Sequence, residues 1–225
     1  MFELLNTIDA FVWGPAMIAL LLGSHLFFTF KTGFIQRKLP QAIKLSLSSD
    51  PEGKGDISHF GALATALAAT IGTGSIVGVA TAILAGGPGA VFWMWITGVF
   101  GIATKYAEVY AAVKYRVRDH NGAMLGGAMY IWERAFRRNA EGKRDPSPGG
   151  HTPWWAKLGA VAFAAFAAIA AIGTGSAVQA SAMSGIITSN VDVPAWVVGV
   201  IIVVLVSVVI FGGVQSISKA VSYTH

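Results

Sequence analysis

Four stretches of this chain contain no charged residue: 11–30, 61–104, 158–191 and 193–218. No other feature limits the fold as tightly. A helix needs about 20 consecutive apolar residues to cross the hydrocarbon core of a bilayer, so each stretch can cross at least once. The stretch 61–104 is long enough for two crossings, and "GGPG" at 86–89 supplies a tight turn between them. Composition agrees, since only 12% of residues are charged against about 25% in soluble domains. A soluble protein would have to bury four unusually long uncharged segments. The pattern predicts an all-α polytopic membrane protein, one transmembrane domain over 1–225, with helices near 11–30, 61–84, 90–112, 156–188 and 195–213.

Charge placement tests that count. Alternating sides puts 31–60, 113–155 and 214–225 on one face, and of the sixteen Lys and Arg all but Lys105 fall there or at the adjoining helix ends. The other face carries only Glu3, Asp9 and Asp192. The positive-inside rule then predicts cytoplasmic basic loops and an outside N-terminus, in a multi-pass protein of the cell membrane. The same asymmetry accounts for the net charge of +5 without nucleic acid. The N-terminus lacks the basic region of a signal peptide, so the first apolar run is expected to stay as a helix.

Several chemistries are excluded or disfavoured. The chain has no cysteine, which removes disulfides, thiolate metal sites and cysteine catalysis together. No His/Asp/Glu cluster or nucleophile–base pair lies within the expected spans, so an enzyme is not expected. His25 is the only histidine inside one, which argues for a hydrogen-bonded packing role and against heme. Lys105 and Glu108 stand at i and i+3, a spacing that permits an ion pair near the cytoplasmic end of a span. In the loops, 48–56 and 139–153 read as solvated linkers. "GGAMYIWERAF" at 126–136 is a short amphipathic piece that either lies at the interface or dips into the protein.

Two glycine-rich phrases interrupt the apolar runs: "ATIGTGSIVGVATAI" at 69–83 and "AAIGTGSAVQA" at 170–180. Each glycine inside a helix costs about 1 kcal/mol against alanine. Both phrases fall near mid-membrane in spans of the same direction. A nucleotide fingerprint does not fit, because Gly72, Gly74 and Gly78 give G-x-G-x-x-x-G with no preceding strand. Two readings stay open on local pattern. Gly74 and Gly78 form a G-x-x-x-G pair that lets helices pack closely. Alternatively the helix breaks, and its freed backbone groups, with the hydroxyls of Thr70, Thr73 and Ser75, bind a solute and a hard cation.

A longer segment bears on the choice. "GGPGAVFWMWITGVFGIATKYAEVYAAVKYR" at 86–116 closely resembles the characteristic segment of the sodium:alanine symporter family. "GTGSIVGVATAI" before it, "GGAMY" after it and "GTGSAVQAS" in the fourth span resemble the family too. The resemblance covers essentially the whole chain. It implies a LeuT-like inverted-repeat transporter fold, in which one extra helix precedes two five-helix repeats. On that pattern the chain supplies an N-terminal half with about five spans, apparently truncated, and lacks a C-terminal half. It further implies symport of alanine or glycine with sodium as coupling ion and no enzyme cofactor. The alternative is a non-transporting membrane fragment or assembly subunit.

Carried over by position, the resemblance assigns Gly72, Thr73, Gly74 and Ser75 to an unwound segment that holds the substrate carboxylate. It assigns Gln179 to a polar position facing that site, and Thr70 and Thr73 to sodium. Family members commonly carry asparagine where this chain has Ser75 and Ser176, which bears on the choice of amino acid.

Overall fold

The computed structural model describes residues 2–48, 56–139, 141–144 and 150–224, and these are mostly helical. Residues 49–55 of the first expected linker, and 140 and 145–149 of the second, lie outside the described residues. In chain order the helices are α1 (Phe2–Val12), α2 (Pro15–Lys31), α3 (Leu39–Ser46), α4 (His59–Thr70), α5 (Thr73–Gly86) and α6 (Gly89–Lys114). A two-stranded antiparallel hairpin follows, β1 (Val117–Arg118) and β2 (Met124–Leu125), then α7 (Ala128–Ala135). The remainder is α8 (Trp154–Ala170), a π-helical segment (Ala171–Ala177), α9 (Val178–Asn190), α10 (Ala195–Ile210) and α11 (Gly213–Thr224).

Two helical stretches are long and apolar enough to cross a membrane, Glu3–Lys31 and Trp154–Asn190. The bent pairs α4–α5 and α10–α11 raise the number to four if each is one span. α6 has the length, at 26 residues, but mixes Trp93, Trp95, Thr97, Thr104 and Lys105 among its apolar residues. Between α5 and α6 the chain turns at Gly87, whose φ of +64° is a conformation that favours glycine.

Packing follows membrane rules. The buried apolar residues are small or slender, namely Ala64, Ala103, Ala156, Ala160 and Val198. Large ones such as Phe11, Leu84 and Trp196 are exposed. Without a hydrophobic force between helices in lipid, small side chains let backbones approach while large ones meet acyl chains. α2 packs on α6, and His25 Nδ1 lies 2.7 Å from Thr104 Oγ1 across that contact. One turn further, the fully buried Thr29 accepts a hydrogen bond from Gln36 Nε2 at 3.0 Å. Gln36 Nε2 also donates to the carbonyl of Val99 at 3.2 Å. On α6, Lys105 and Glu108 pair at 3.1 Å with both side chains well exposed, a geometry worth little in stability.

The amphipathic piece forms α7 and docks on α8. Trp132, Phe136 and Trp155 make an aromatic cluster with centroid spacings of 4.7 to 6.4 Å. Gly159 is what lets Trp132 in, since a Cβ there would stand 3.1 Å from the indole.

Several elements have no counterpart in the sequence reading, α3 and the β1–β2 hairpin in the loops among them. α1 extends the first apolar run toward the N-terminus. The ending, read as a loop, is helical: α11 turns back by 115° after α10 and lies along α4, with Ser218 Oγ against Gly61. Gly213, at φ +69°, makes the reversal. α11 is too short and polar to register as a span, so hydropathy is silent about it.

Candidate functional site

α4 ends at Thr70 and α5 starts at Thr73, and their axes differ by 46°. Between them Ile71 (φ −85°, ψ 91°) and Gly72 (φ −139°, ψ −176°) are extended. The first glycine phrase is therefore a helix broken inside an apolar run.

A break of this kind strips intrahelical partners from the last carbonyls of one helix and the first N–H groups of the next. Some find replacements nearby. The Ile71 N–H donates to the carbonyl of Leu67 at 2.8 Å. Ser75 Oγ donates to the carbonyl of Thr70 at 2.8 Å, spanning the break. The Ser75 and Ile76 N–H groups donate to the carbonyl of Gly72 at 3.0 and 3.1 Å, winding the first turn of α5. No such backbone bond forms for the N–H of Gly72 among the described residues, and Gly74, the second residue of α5, has no acceptor within that helix. Thr73 Oγ1 is buried and also lacks a partner there.

One side chain reaches the break from far along the chain. The Thr73 N–H donates to Gln179 Oε1 at 3.2 Å, across 106 positions. The same amide covers Gly72 so closely that a Cβ on residue 72 would stand 2.5 Å from Gln179 Nε2. Gln179 lies in α9, just after the π-helical segment formed by the second glycine phrase. The two similar phrases thus take different backbone forms: the first breaks, the second widens its turns. π-helical insertions are rare and recur at functional sites.

The structure brings Gly72, Thr73 and Gln179 into contact. Gly74 and Ser75 follow on the first turn of α5, and nothing packs within 4 Å of a Cβ built on Gly74 or on Gly78. The G-x-x-x-G pair therefore has no close helix partner among the described residues. Thr70 ends α4 with its hydroxyl donating to the carbonyl of Ala66 at 2.8 Å, which leaves the oxygen lone pairs to a cation. Ser176 donates to the carbonyl of Ile172 at 3.3 Å and makes no contact of this kind with the break. The sequence reading missed the bridge from Ser75 to Thr70, because a hydroxyl bonding a carbonyl five residues back exists only once the helix has opened.

Chemically, the site has two poles. The N-terminus of α5 presents N–H groups and the positive end of a helix dipole, which suits a carboxylate. The C-terminus of α4 presents carbonyls and the Thr70 hydroxyl, and Thr73 at the start of α5 carries a buried hydroxyl without a partner among the described residues, oxygens of the kind that suit a hard cation.

Comparison with known proteins identifies the family. The profile of the sodium:alanine symporter family matches residues 1–224. The sodium/alanine symporter AgcS of Methanococcus maripaludis is 48% identical over 221 residues, covering 97% of this chain and 46% of AgcS. An uncharacterized transporter of Haemophilus influenzae is 48% identical over 222 residues, covering 98% of this chain and 45% of its own length. The probable sodium/glutamine symporter GlnT of Bacillus subtilis is 32% identical over 213 residues, covering 92% and 40%. The chain spans about half the length of the curated relatives it matches. That family is one of transporters and not of enzymes, and the chain belongs to it: the sodium:alanine symporter family.

Proposed function

We propose that this chain forms the N-terminal part of a sodium-coupled symporter for a small neutral amino acid, alanine or glycine. The observation that carries the reading is the helix break at Ile71–Gly72 capped by Gln179. Gly72, Thr73, Gly74 and Ser75 receive the substrate carboxylate on the backbone N–H groups at the start of α5, and Gln179 borders it. Because Gln179 already holds the Thr73 N–H, the carboxylate either displaces the amide or binds beside it at Gly72 and Gly74. Thr70 and Thr73 contribute oxygens to sodium as co-substrate. The remaining ligands, and the body against which this one moves in alternating access, come from a complementary half. The protein sits in the cell membrane with its N-terminus outside and its basic loops in the cytoplasm.

The family name and AgcS point to alanine, while GlnT is named for glutamine. A break that reads the carboxylate common to all amino acids fits that spread. Side-chain selection then rests on other groups, with the Ser75 and Ser176 hydroxyls as contributors. A chimera tests the proposal: residues 1–224 replace the matching N-terminal segment of AgcS, and alanine uptake is followed with and without a sodium gradient. Sodium-dependent, saturable uptake is expected. Uptake that ignores the sodium gradient would remove the coupling assignment.

A further inference from the structure

Away from the break, residues 150–152 together with α7 and α8 line a two-part cavity at the end of the membrane-spanning helix α8. Its polar part, about 380 Å³, is lined by Glu133, Gly150, His151, Thr152, Trp154 and Lys157. An apolar groove of about 280 Å³ adjoins it, lined by Met129, Tyr130, Ala160, Val161 and Ala164. Glu133 and Lys157 line both parts. The groove therefore starts at a charged mouth and follows α8 one and two turns along an apolar helix.

The walls are fixed by specific contacts. Arg138 and His151 exchange backbone hydrogen bonds at 2.9 and 2.7 Å. Thr152 Oγ1 donates to the carbonyl of Glu133 at 3.3 Å. Gly150 passes so close to Arg137 that a Cβ would meet its side chain at 2.7 Å. Charge is one-sided. Glu133, the one carboxylate of the lining, is already paired with Arg137 at 2.8 Å. That leaves Lys157 and the imidazole of His151 in the cavity, with Arg138 and Arg144 on the backbone bridge that frames it. Trp154, 76% exposed, stands at the same rim, as tryptophans do at the headgroup level of a bilayer.

We infer that this cavity is a binding site for an anionic phospholipid, with the headgroup phosphate at Lys157 and His151 and an acyl chain along Ala160, Val161 and Ala164. Charge complementarity and the joined polar and apolar chambers select this occupant. A soluble anion would use the polar part and leave the groove empty. Basic pockets at the ends of transmembrane helices hold acidic headgroups by the same electrostatics.

The test is native mass spectrometry of the purified full chain with phosphatidylglycerol or phosphatidylcholine of identical acyl chains. Preferential retention of phosphatidylglycerol is expected, and Lys157→Gln reduces it roughly fivefold, the share expected of one basic residue near the surface. Lys143→Gln removes a charge from the same loop outside the cavity and is expected to change retention little. Val161→Trp fills the groove and is expected to weaken both lipids. Circular dichroism confirms that each variant keeps its helices; Lys157→Met stands in for Lys157→Gln, and Ala164→Leu for Val161→Trp, where the first choice does not. Equal retention of the two lipids, equal losses from Lys157→Gln and Lys143→Gln, or full competition by soluble glycerol phosphate would each overturn the inference.

Discussion

The side-chain oxygen of Gln179 accepts a hydrogen bond from the backbone N–H of Thr73 at 3.2 Å, joining α9 to the first residue of α5. This one bond ties the two glycine phrases into a single site. It caps an N–H that the helix break leaves without an intrahelical partner, inside a segment where water is scarce. Gln179→Leu keeps the bulk and removes the acceptor. Leaving a part-buried donor unsatisfied costs about 1 kcal/mol or more, so the AgcS chimera carrying this change should lose roughly fivefold or more in apparent alanine affinity. Tracer uptake across a range of alanine concentrations checks it. An unchanged half-saturation would show that Gln179 does not serve the site.

Gly72 faces the same amide at a distance that leaves no room for a methyl group. Gly72→Ala should therefore impair uptake by pushing Gln179 off the break, although the extended backbone at residue 72 suits any residue. Pairing it with Gln179→Ala makes space, and the double variant should recover part of what the first change loses. Such non-additivity is expected of residues in contact. Strict additivity in uptake rates would mean that the two residues act apart.

Much of this arrangement was legible in the sequence, and its limits are instructive. The uncharged runs marked where long helices lie, because burying charge in lipid is costly over about 20 residues. The phrase "IGTGS" at 71–75 marked the break only with the help of the family resemblance, since glycines serve packing and unwinding equally well. The second phrase contains the same five residues at 172–176 and is π-helical instead. Local sequence does not separate the two outcomes; neighbouring helices do. α11 escaped notice for a related reason. Its docking depends on Ser218 meeting Gly61, a contact between residues far apart in the chain that no periodicity encodes.

Topology is checked by labelling. The chain has no cysteine, so Ser48→Cys and Ser189→Cys give single probes at exposed positions near opposite helix ends. In intact cells an impermeant thiol reagent should label position 189 and spare position 48. The reverse pattern would invert the orientation read from the basic loops.

The chain spans about half the length of its curated relatives, and α4 with α5 supplies one broken helix. A hard cation takes several converging oxygens, and alternating access needs a second body moving against the first. Liposomes containing only these 225 residues should therefore show no sodium-driven alanine accumulation above protein-free controls. Robust saturable uptake would require copies of this chain to rebuild the complementary half.

The central claim is that the start of α5 receives the substrate on its backbone. Gly74 tests it most directly, because nothing packs where its Cβ would stand and, as the second residue of α5, it has no hydrogen-bond acceptor within that helix. Gly74→Leu leaves that packing undisturbed while screening the N–H groups from a carboxylate. Sodium-driven alanine uptake by the AgcS chimera carrying Gly74→Leu is the decisive measurement, with surface expression matched to the parent chimera. The account predicts that uptake falls to the level seen without sodium. Uptake at the parent's rate and half-saturation would contradict it and leave Gly74 with no part in the site.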